Sequence, residues 1–233
     1  MFSKYISRLS AAIPSQCEVC HAWPSQPVCT DCISRFAITQ PRCQTCALRM
    51  HTSVLRCGEC ITHPTALDMC LAAVSYEYPW AGLIGLFKFH NRPAWAAQIA
   101  RAMHTNPQVQ TALDAADFVM PMPLSAARLR TRGYNQALAL AQALKTTKLQ
   151  ARVLVRIKET PALSLLDRED RLRAMADAFA IEPLMAEQVR RKRIVLVDDV
   201  MTTGATLHGA ASALKAAGAA HITGLVFART EVD

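Results

Sequence analysis

The 233-residue chain lacks any apolar run of the ~18 residues that a membrane-spanning helix needs, so we expect no transmembrane segment. Its first 16 residues carry apolar side chains at helical spacing but have no continuous apolar core and no cleavage site. This argues against a signal peptide and favours a short amphipathic helix that packs on the protein itself. With 52% hydrophobic and 19% charged residues, and no low-complexity tract, the composition favours a sizeable core over wholesale disorder.

Acidic residues are in the minority, with 18 against 26 lysines and arginines, and the formal net charge is +8. A basic chain is suited to anionic partners such as phosphates or nucleic acid. An ordinary basic protein explains the same charge equally well. The charge therefore indicates a class of partner without deciding that one exists.

No cysteine follows Cys70, and the cysteine-rich stretch before it is interrupted by prolines. Beyond it, helical and strand-like patterns alternate, which is typical of an α/β domain with a parallel sheet. We therefore predict two domains: residues 1–66, with an N-terminal helix and a double zinc ribbon, and residues 67–233, with the α/β fold.

Eight of the nine cysteines form four C-x-x-C pairs, which are Cys17/Cys20, Cys29/Cys32, Cys43/Cys46 and Cys57/Cys60. Two thiolates at this spacing can approach one metal from a tight turn, and two such pairs complete a tetrahedral zinc site. We predict two structural zinc sites, shared either by neighbouring pairs or by interleaved ones. A redox thiol cluster is the weaker alternative. Cys70 is left over, and we expect it to be a small buried side chain.

An apolar run, Arg193–Val197, is typical of a central parallel strand, and two carboxylates, Asp198 and Asp199, follow it. A loop then leads into a predicted helix, and its candidate binding residues are Thr202, Thr203, Gly204, Ala205 and Thr206. Helix N-termini attract phosphate, and adjacent carboxylates can accept hydrogen bonds from ribose hydroxyls or hold magnesium. An ordinary helix cap needs fewer such groups. The stretch therefore predicts a site for a phosphorylated ribose.

Arg128 and Arg132 lie one turn apart on a helix predicted over Ser125–Leu144, so they share a face that Arg130 does not. Together with Lys88, they are candidates for binding a pyrophosphate or a DNA phosphate, because guanidinium groups match phosphate geometry. A solvated helix end explains these arginines equally well.

The stretch 194–206 resembles the ribose-phosphate motif of type I phosphoribosyltransferases. With the segments 121–124 and 132–137 and the cysteine pairs, nearly the whole chain is similar to the ComF family of competence-associated proteins. The resemblance implies a type I phosphoribosyltransferase-like parallel sheet flanked by helices, behind a double zinc ribbon. It also implies phosphoribosyl pyrophosphate (PRPP) with magnesium as the ligand. A cytoplasmic role in DNA uptake or utilisation is implied too, with single-stranded DNA and DNA-uptake proteins as partners.

Two functional hypotheses remain open. In the first, the protein transfers a phosphoribosyl group to an unidentified acceptor. Asp198 and Asp199, magnesium and the arginines would then support transfer at the ribose C1 carbon, where the departing pyrophosphate needs its charge neutralised. In the second, the fold is a non-catalytic scaffold that binds single-stranded nucleic acid or has a regulatory role. Ligand binding separates the two hypotheses.

Overall fold

The computed structural model describes residues 15–51, 54–89, 92–158, 175 and 177–231. The predicted N-terminal helix lies outside the described residues. No helix within the described part of the chain has the length and apolar character that crossing a membrane requires.

A parallel sheet forms the centre of the fold. The described strands are β1 (Met69–Ser75), β2 (Phe118–Pro121), β3 (Leu154–Arg156), β4 (Phe179–Ile181), β5 (Arg193–Met201) and β6 (His221–Arg229). Four of them pair in the order β1-β6-β5-β2, all parallel, while β3 and β4 form a separate antiparallel pair. The apolar run in β5 is explained by its position inside the sheet, where helices cover both faces. The predicted sheet is therefore confirmed.

Helices pack on both faces of this sheet. The α-helices of the described residues are α1 (Thr30–Phe36), α2 (Gly58–Thr62), α3 (Trp80–Phe89), α4 (Trp95–Met103), α5 (Pro107–Ala115), α6 (Ala126–Arg132), α7 (Gln136–Ala143), α8 (Ala186–Val189) and α9 (Ala205–Ala216). On one face α7 contacts β2, β5 and α4, and on the other α9 contacts β4 and β6. Each face consequently has its own apolar core.

The two groups of cysteines join different cores. Cys17 and Cys32 pack with the core that contains α4 and α7, whereas Cys43, Cys46 and Cys60 pack with the core that contains α9. The cysteine-rich region therefore contacts the α/β fold on both faces of the sheet. Cys70 is 2% exposed and lies in the second core, as expected for a small buried side chain.

The single helix predicted over Ser125–Leu144 is wrong, because the chain forms α6 and α7 there. Gly133 has a φ of 76°, a left-handed conformation that ends α6. Asn135 then starts α7, since its side-chain oxygen accepts a hydrogen bond from the backbone N–H of Leu138 at 3.1 Å. The two helices can thus point in different directions from one short turn.

The strand that precedes the ligand loop is longer than predicted. It continues past Val197 to Met201, because pairing with β6 extends to the partners Met201 and Arg229. Asp198 and Asp199 therefore lie within β5, two residues before its end. Their backbone is held by the sheet, which gives both carboxylates a rigid base.

Candidate functional site

Each group of four cysteines brings its sulfur atoms together. The first group is Cys17, Cys20, Cys29 and Cys32, the second is Cys43, Cys46, Cys57 and Cys60, and in each the Sγ atoms lie within 4.8 Å of one another. The Sγ–Sγ distance is 3.7 Å between Cys20 and Cys29 and also between Cys46 and Cys57. A tetrahedron with Zn–S bonds of about 2.3 Å has edges of about 3.8 Å. Both groups could hold zinc, and neighbouring pairs share each one.

Backbone N–H groups stabilise thiolates in both clusters. The N–H of Cys29 donates to Cys17 Sγ at 3.4 Å, and the N–H of Cys57 donates to Cys43 Sγ at 3.3 Å. Burial would raise the pKa of Cys17, but such donors outweigh it and lower the pKa to about 6. The same balance lowers the pKa of Cys43 to about 7. Thiolates are the form that binds metal, so the protein backbone favours metal binding at each cluster.

The acidic pair in β5 faces a lysine from another part of the chain. Asp199 is 6% exposed, and its Oδ1 forms an ion pair with Lys88 Nζ at 3.0 Å. Asp198 is partly buried, and its Oδ1 accepts a hydrogen bond from the backbone N–H of Asp199 at 2.9 Å. The fold therefore brings three of the predicted site residues into one cluster at the carboxyl edge of the sheet, where α/β proteins bind ligands.

Two like charges in a buried place alter the acidity of Asp198. Burial raises its pKa, the negative charge of Asp199 raises it further, and the nearby Lys88 and Arg132 oppose the rise, so that the pKa is about 7. One of the two carboxyls is thus poised to hold or release a proton near neutral pH.

Arg128 and Arg132 are partly buried on α6, whereas Arg130 is exposed, as the predicted helix face requires. Burial lowers the pKa of Arg128, and the positive charge of Arg132 lowers it further, while Asp198 counteracts both. Neither arginine forms an ion pair with a carboxylate of the described residues. Two neighbouring guanidinium groups without such a partner favour a bound anion.

The turn between α6 and α7 holds these groups in place. The hydroxyl of Tyr134 donates to the carbonyl of Phe87, next to Lys88, and the two rings form an edge contact with centroids 5.7 Å apart. Asn135 Nδ2 donates to the carbonyl of Met122 at 3.0 Å, just after β2. Tyr134 therefore ties the turn after the helix with the arginines to the helix that carries Lys88.

The loop after β5 is a tight turn into α9. Gly204 precedes the helix with a φ of 81°, a left-handed conformation that would strain a residue with a side chain. The Thr203 hydroxyl accepts a hydrogen bond from the N–H of Ala205 at 3.4 Å. Thr202 is exposed, and Thr206 is partly exposed in the first turn of the helix. The loop thus presents hydroxyls and a helix N-terminus at the same edge as the acidic pair.

Two connections at this edge cannot be predicted from the residue types alone. Tyr134 fits a core position as well as a functional one, and Arg229 looks like an ordinary strand residue. Nevertheless, the Arg229 side chain donates hydrogen bonds to the carbonyls of Met201 and Thr202 at the start of the loop. Only a pattern that links distant segments could have revealed either contact.

Comparisons with known proteins agree with this arrangement. A family model described as a phosphoribosyl transferase domain matches residues 130–231, a range that contains Arg132, both carboxylates and the whole loop. Competence protein F of Haemophilus influenzae is 29% identical over 172 residues, which is 71% of this chain and 75% of that protein. The DNA utilization protein YhgH of Escherichia coli K12 is 28% identical over 180 residues, covering 75% of this chain and 78% of that protein.

The YhgH protein of Salmonella typhimurium is 29% identical with the same coverage. Among solved structures, TT1426 of Thermus thermophilus is 19% identical and covers 60% of this chain and 74% of that chain. Its TM-score is 0.29, so it adds nothing to the assignment. The match to competence protein F is longer than the matched domain. The two groups of four cysteines fit a double zinc ribbon.

Proposed function

We propose that this chain, which belongs with the ComF competence and DNA utilisation proteins and carries a phosphoribosyl transferase domain, binds PRPP together with magnesium. The observation that carries the proposal is the meeting of three features at one sheet edge. These are an acidic pair in β5, a loop that leads into the N-terminus of α9, and cationic side chains from α3 and α6. Each feature matches a different part of the ligand.

The parts of the ligand can be assigned by charge. The 5-phosphate fits the loop at Thr202, Thr203, Gly204, Ala205 and Thr206, because hydroxyls, backbone N–H groups and the helix dipole all favour an anion there. Asp198 and Asp199 accept hydrogen bonds from ribose hydroxyls or, with magnesium, hold the cation through their oxygens. Arg128 and Arg132 bind the pyrophosphate, and Lys88 contacts both that group and Asp199.

Magnesium, when bound, would neutralise charge on the pyrophosphate and so assist its departure from the ribose. The protein's own residues hold the ribose hydroxyls and the leaving phosphates in place. With these positions filled, Asp198 and Asp199 would act as the catalytic residues of a phosphoribosyl transfer to an acceptor. A protein that binds the donor without transferring it would serve a regulatory role.

The decisive experiment is calorimetric titration of the purified protein with PRPP, with and without magnesium. We expect PRPP to bind only when magnesium is present. Ribose 5-phosphate should bind more weakly than PRPP, because it lacks the pyrophosphate. Pyrophosphate with magnesium is the matching control for the arginine half of the site. Absence of any PRPP binding with magnesium present would overturn the proposed function.

The pH dependence of PRPP binding tests the acidic pair. Because the pKa of Asp198 is about 7, its carboxyl is mostly protonated at pH 6 and mostly ionised at pH 8. The ionised form attracts magnesium, so we expect the affinity for PRPP with magnesium to rise about tenfold between these pH values. Titrations at constant ionic strength measure this change. A flat profile would contradict a role for Asp198 ionisation.

The stability of the ligand-free protein should have the opposite pH dependence. A carboxyl whose folded pKa lies above its ordinary value binds its proton more tightly in the native state. The native state therefore loses stability as the pH rises from about 4 to about 7. Asp198→Asn removes this group, so the fall in melting temperature over that range should be smaller in the variant. This comparison is free of the ligand's own titration.

The anion-binding role of α6 is tested by a matched pair of variants. Arg128→Gln removes a partly buried charge that faces Asp198, and we expect PRPP affinity to fall at least ~10-fold, the cost of one charge-assisted hydrogen bond. Arg130→Gln removes an exposed arginine on the other face of the same helix and should leave the affinity within ~2-fold. Equal effects of both variants would mean that α6 contributes only general charge.

The names of the relatives support a role in DNA uptake or utilisation, and we propose that the protein acts there, in the reducing cytoplasm where thiol clusters keep their metal. Single-stranded DNA is then a second ligand to test. Binding of a short oligonucleotide should weaken steeply with added salt if the net charge of +8 contributes to it. DNA binding without PRPP binding would favour the non-catalytic scaffold.

A further inference from the structure

Arg229, the last residue of β6, joins the second cysteine cluster to the ligand loop. Its side chain is 5% exposed. Its Nε donates to the carbonyl of Cys46 at 2.9 Å, and one of its Nη atoms donates to the carbonyl of Met201 at 3.2 Å and to the carbonyls of Thr202 and Thr230. One guanidinium group thus contacts a metal-ligand turn, the start of the loop and the chain after β6.

From these contacts, we propose that Arg229 is a positioning residue that couples the metal-bound state of the second cysteine cluster to the geometry of the ribose-phosphate loop. The inference rests on the proposed function wherever it concerns PRPP affinity. The coupling itself concerns only the conformation of the loop.

Because Arg229 is buried, its guanidinium group depends on its hydrogen-bond partners. Among the described residues, no carboxylate forms an ion pair with it, so backbone carbonyls alone satisfy this buried charge. A buried cation is stable only while those partners stay in position. If the turn at Cys46 moves, the guanidinium must follow it or lose a partner. Either response changes what Met201 and Thr202 are bonded to.

The loop and the second cluster also border a common cavity. A cavity of about 580 Å³ lies between them, and Cys46, Cys60, Thr202, Thr203 and Arg229 are among its lining residues. The Arg229 contacts therefore span a region that other side chains do not fill. Packing also connects the loop to the second cluster. Cys70 Sγ lies 3.5 Å from Met201 Sδ, and the Cys70 N–H donates to the carbonyl of Gln44, next to Cys43, at 2.7 Å.

The first cysteine cluster has a comparable arginine with a different destination. Arg101 on α4 donates to the carbonyl of Val28, next to Cys29, at 3.2 Å, and also to Gln98. Trp80 donates to the carbonyl of Phe36 at 2.9 Å. These contacts tie the first cluster to helices on the opposite face of the sheet from α9. The first cluster is therefore the internal control for the second.

The experiment compares matched variants of the full-length, zinc-loaded protein. The second-cluster pair is Arg229→Gln and Cys43→Ser/Cys46→Ser, and the control pair is Arg101→Gln and Cys17→Ser/Cys20→Ser. Hydrogen–deuterium exchange of residues 200–206 reports the loop without any ligand, and titration with PRPP and magnesium reports the site. Zinc is quantified in each variant by plasma emission.

We expect loop exchange to accelerate in both second-cluster variants and to stay at the wild-type rate in both controls. PRPP affinity should fall about tenfold in the second-cluster variants, within the usual range of coupling between sites, and change less than ~2-fold in the controls. Arg229→Gln should keep its zinc, which separates loss of the bridge from loss of the metal. If Cys43→Ser/Cys46→Ser does not fold, mild chelation of the Cys17→Ser/Cys20→Ser variant replaces it, because the zinc left in that variant is in the second cluster.

Wild-type loop exchange in Arg229→Gln, or equal acceleration in both pairs, overturns the coupling. If the wild-type protein does not bind PRPP but loop exchange accelerates in Arg229→Gln and in Cys43→Ser/Cys46→Ser, the coupling stands and the proposed function falls. If PRPP binds but neither Arg229→Gln nor Cys43→Ser/Cys46→Ser changes the exchange of the loop, the proposed function stands and the coupling falls.

Discussion

The double variant Asp198→Asn/Asp199→Asn is expected to lose magnesium-dependent PRPP binding. The dissociation constant should rise at least ~100-fold, because two charge-assisted contacts are lost together. The amides keep the size of the side chains and remove both negative charges. Without those charges the site cannot hold a divalent cation between itself and the pyrophosphate. Calorimetry with PRPP and magnesium measures the loss directly.

The same variant should remain folded, which makes its binding defect interpretable. Burial and mutual repulsion raise the pKa of Asp198, so ionised Asp198 destabilises the native state above about pH 7. Removing the repulsion offsets the loss of the ion pair between Asp199 and Lys88, and we expect little change in melting temperature. The control is Asp117→Asn, which removes a carboxylate beside a strand at the opposite end of the sheet, away from the proposed site. Wild-type affinity in the double variant would remove the acidic pair from the site.

Metal removal should have the largest effect on stability. Wild-type protein is expected to contain two zinc ions per chain, one for each cluster. Zinc binding to such sites contributes roughly 10–16 kcal/mol, so a strong chelator should unfold the cysteine-rich region and lower the melting temperature by more than about 10 °C. Plasma emission and thermal denaturation before and after chelation measure both effects.

Cysteine variants assign the metal to its ligands. Cys17→Ser/Cys20→Ser should leave one zinc per chain, and Cys43→Ser/Cys46→Ser should likewise leave one, because neighbouring pairs share a site. Cys70→Ala removes a buried thiol that belongs to neither cluster and should retain both ions. Loss of both ions in either double variant would indicate that the clusters are not independent. A total well below two in the wild type would contradict the double zinc ribbon.

Local pattern accounts for much of what could be predicted. The parallel sheet was predictable because the apolar run before Asp198 is typical of a strand covered on both faces. The break between α6 and α7 was missed, because Gly133 is also tolerated inside helices and only its left-handed φ shows that the helix ends. The end of β5 was missed because the pairing partner, β6, decides how far a strand extends.

By itself, the sequence determined which chemical groups this protein has and which of them are neighbours along the chain: eight thiols in pairs, two adjacent carboxylates, and a hydroxyl-rich loop before a helix. Only the tertiary structure decided which cysteine pairs share a site, that Lys88 meets Asp199, and that Arg229 spans from Cys46 to the loop. The physical reason is range. Turn and strand preferences act over a few residues, whereas these contacts join segments that only the packing of helices and cysteine clusters on the sheet brings together.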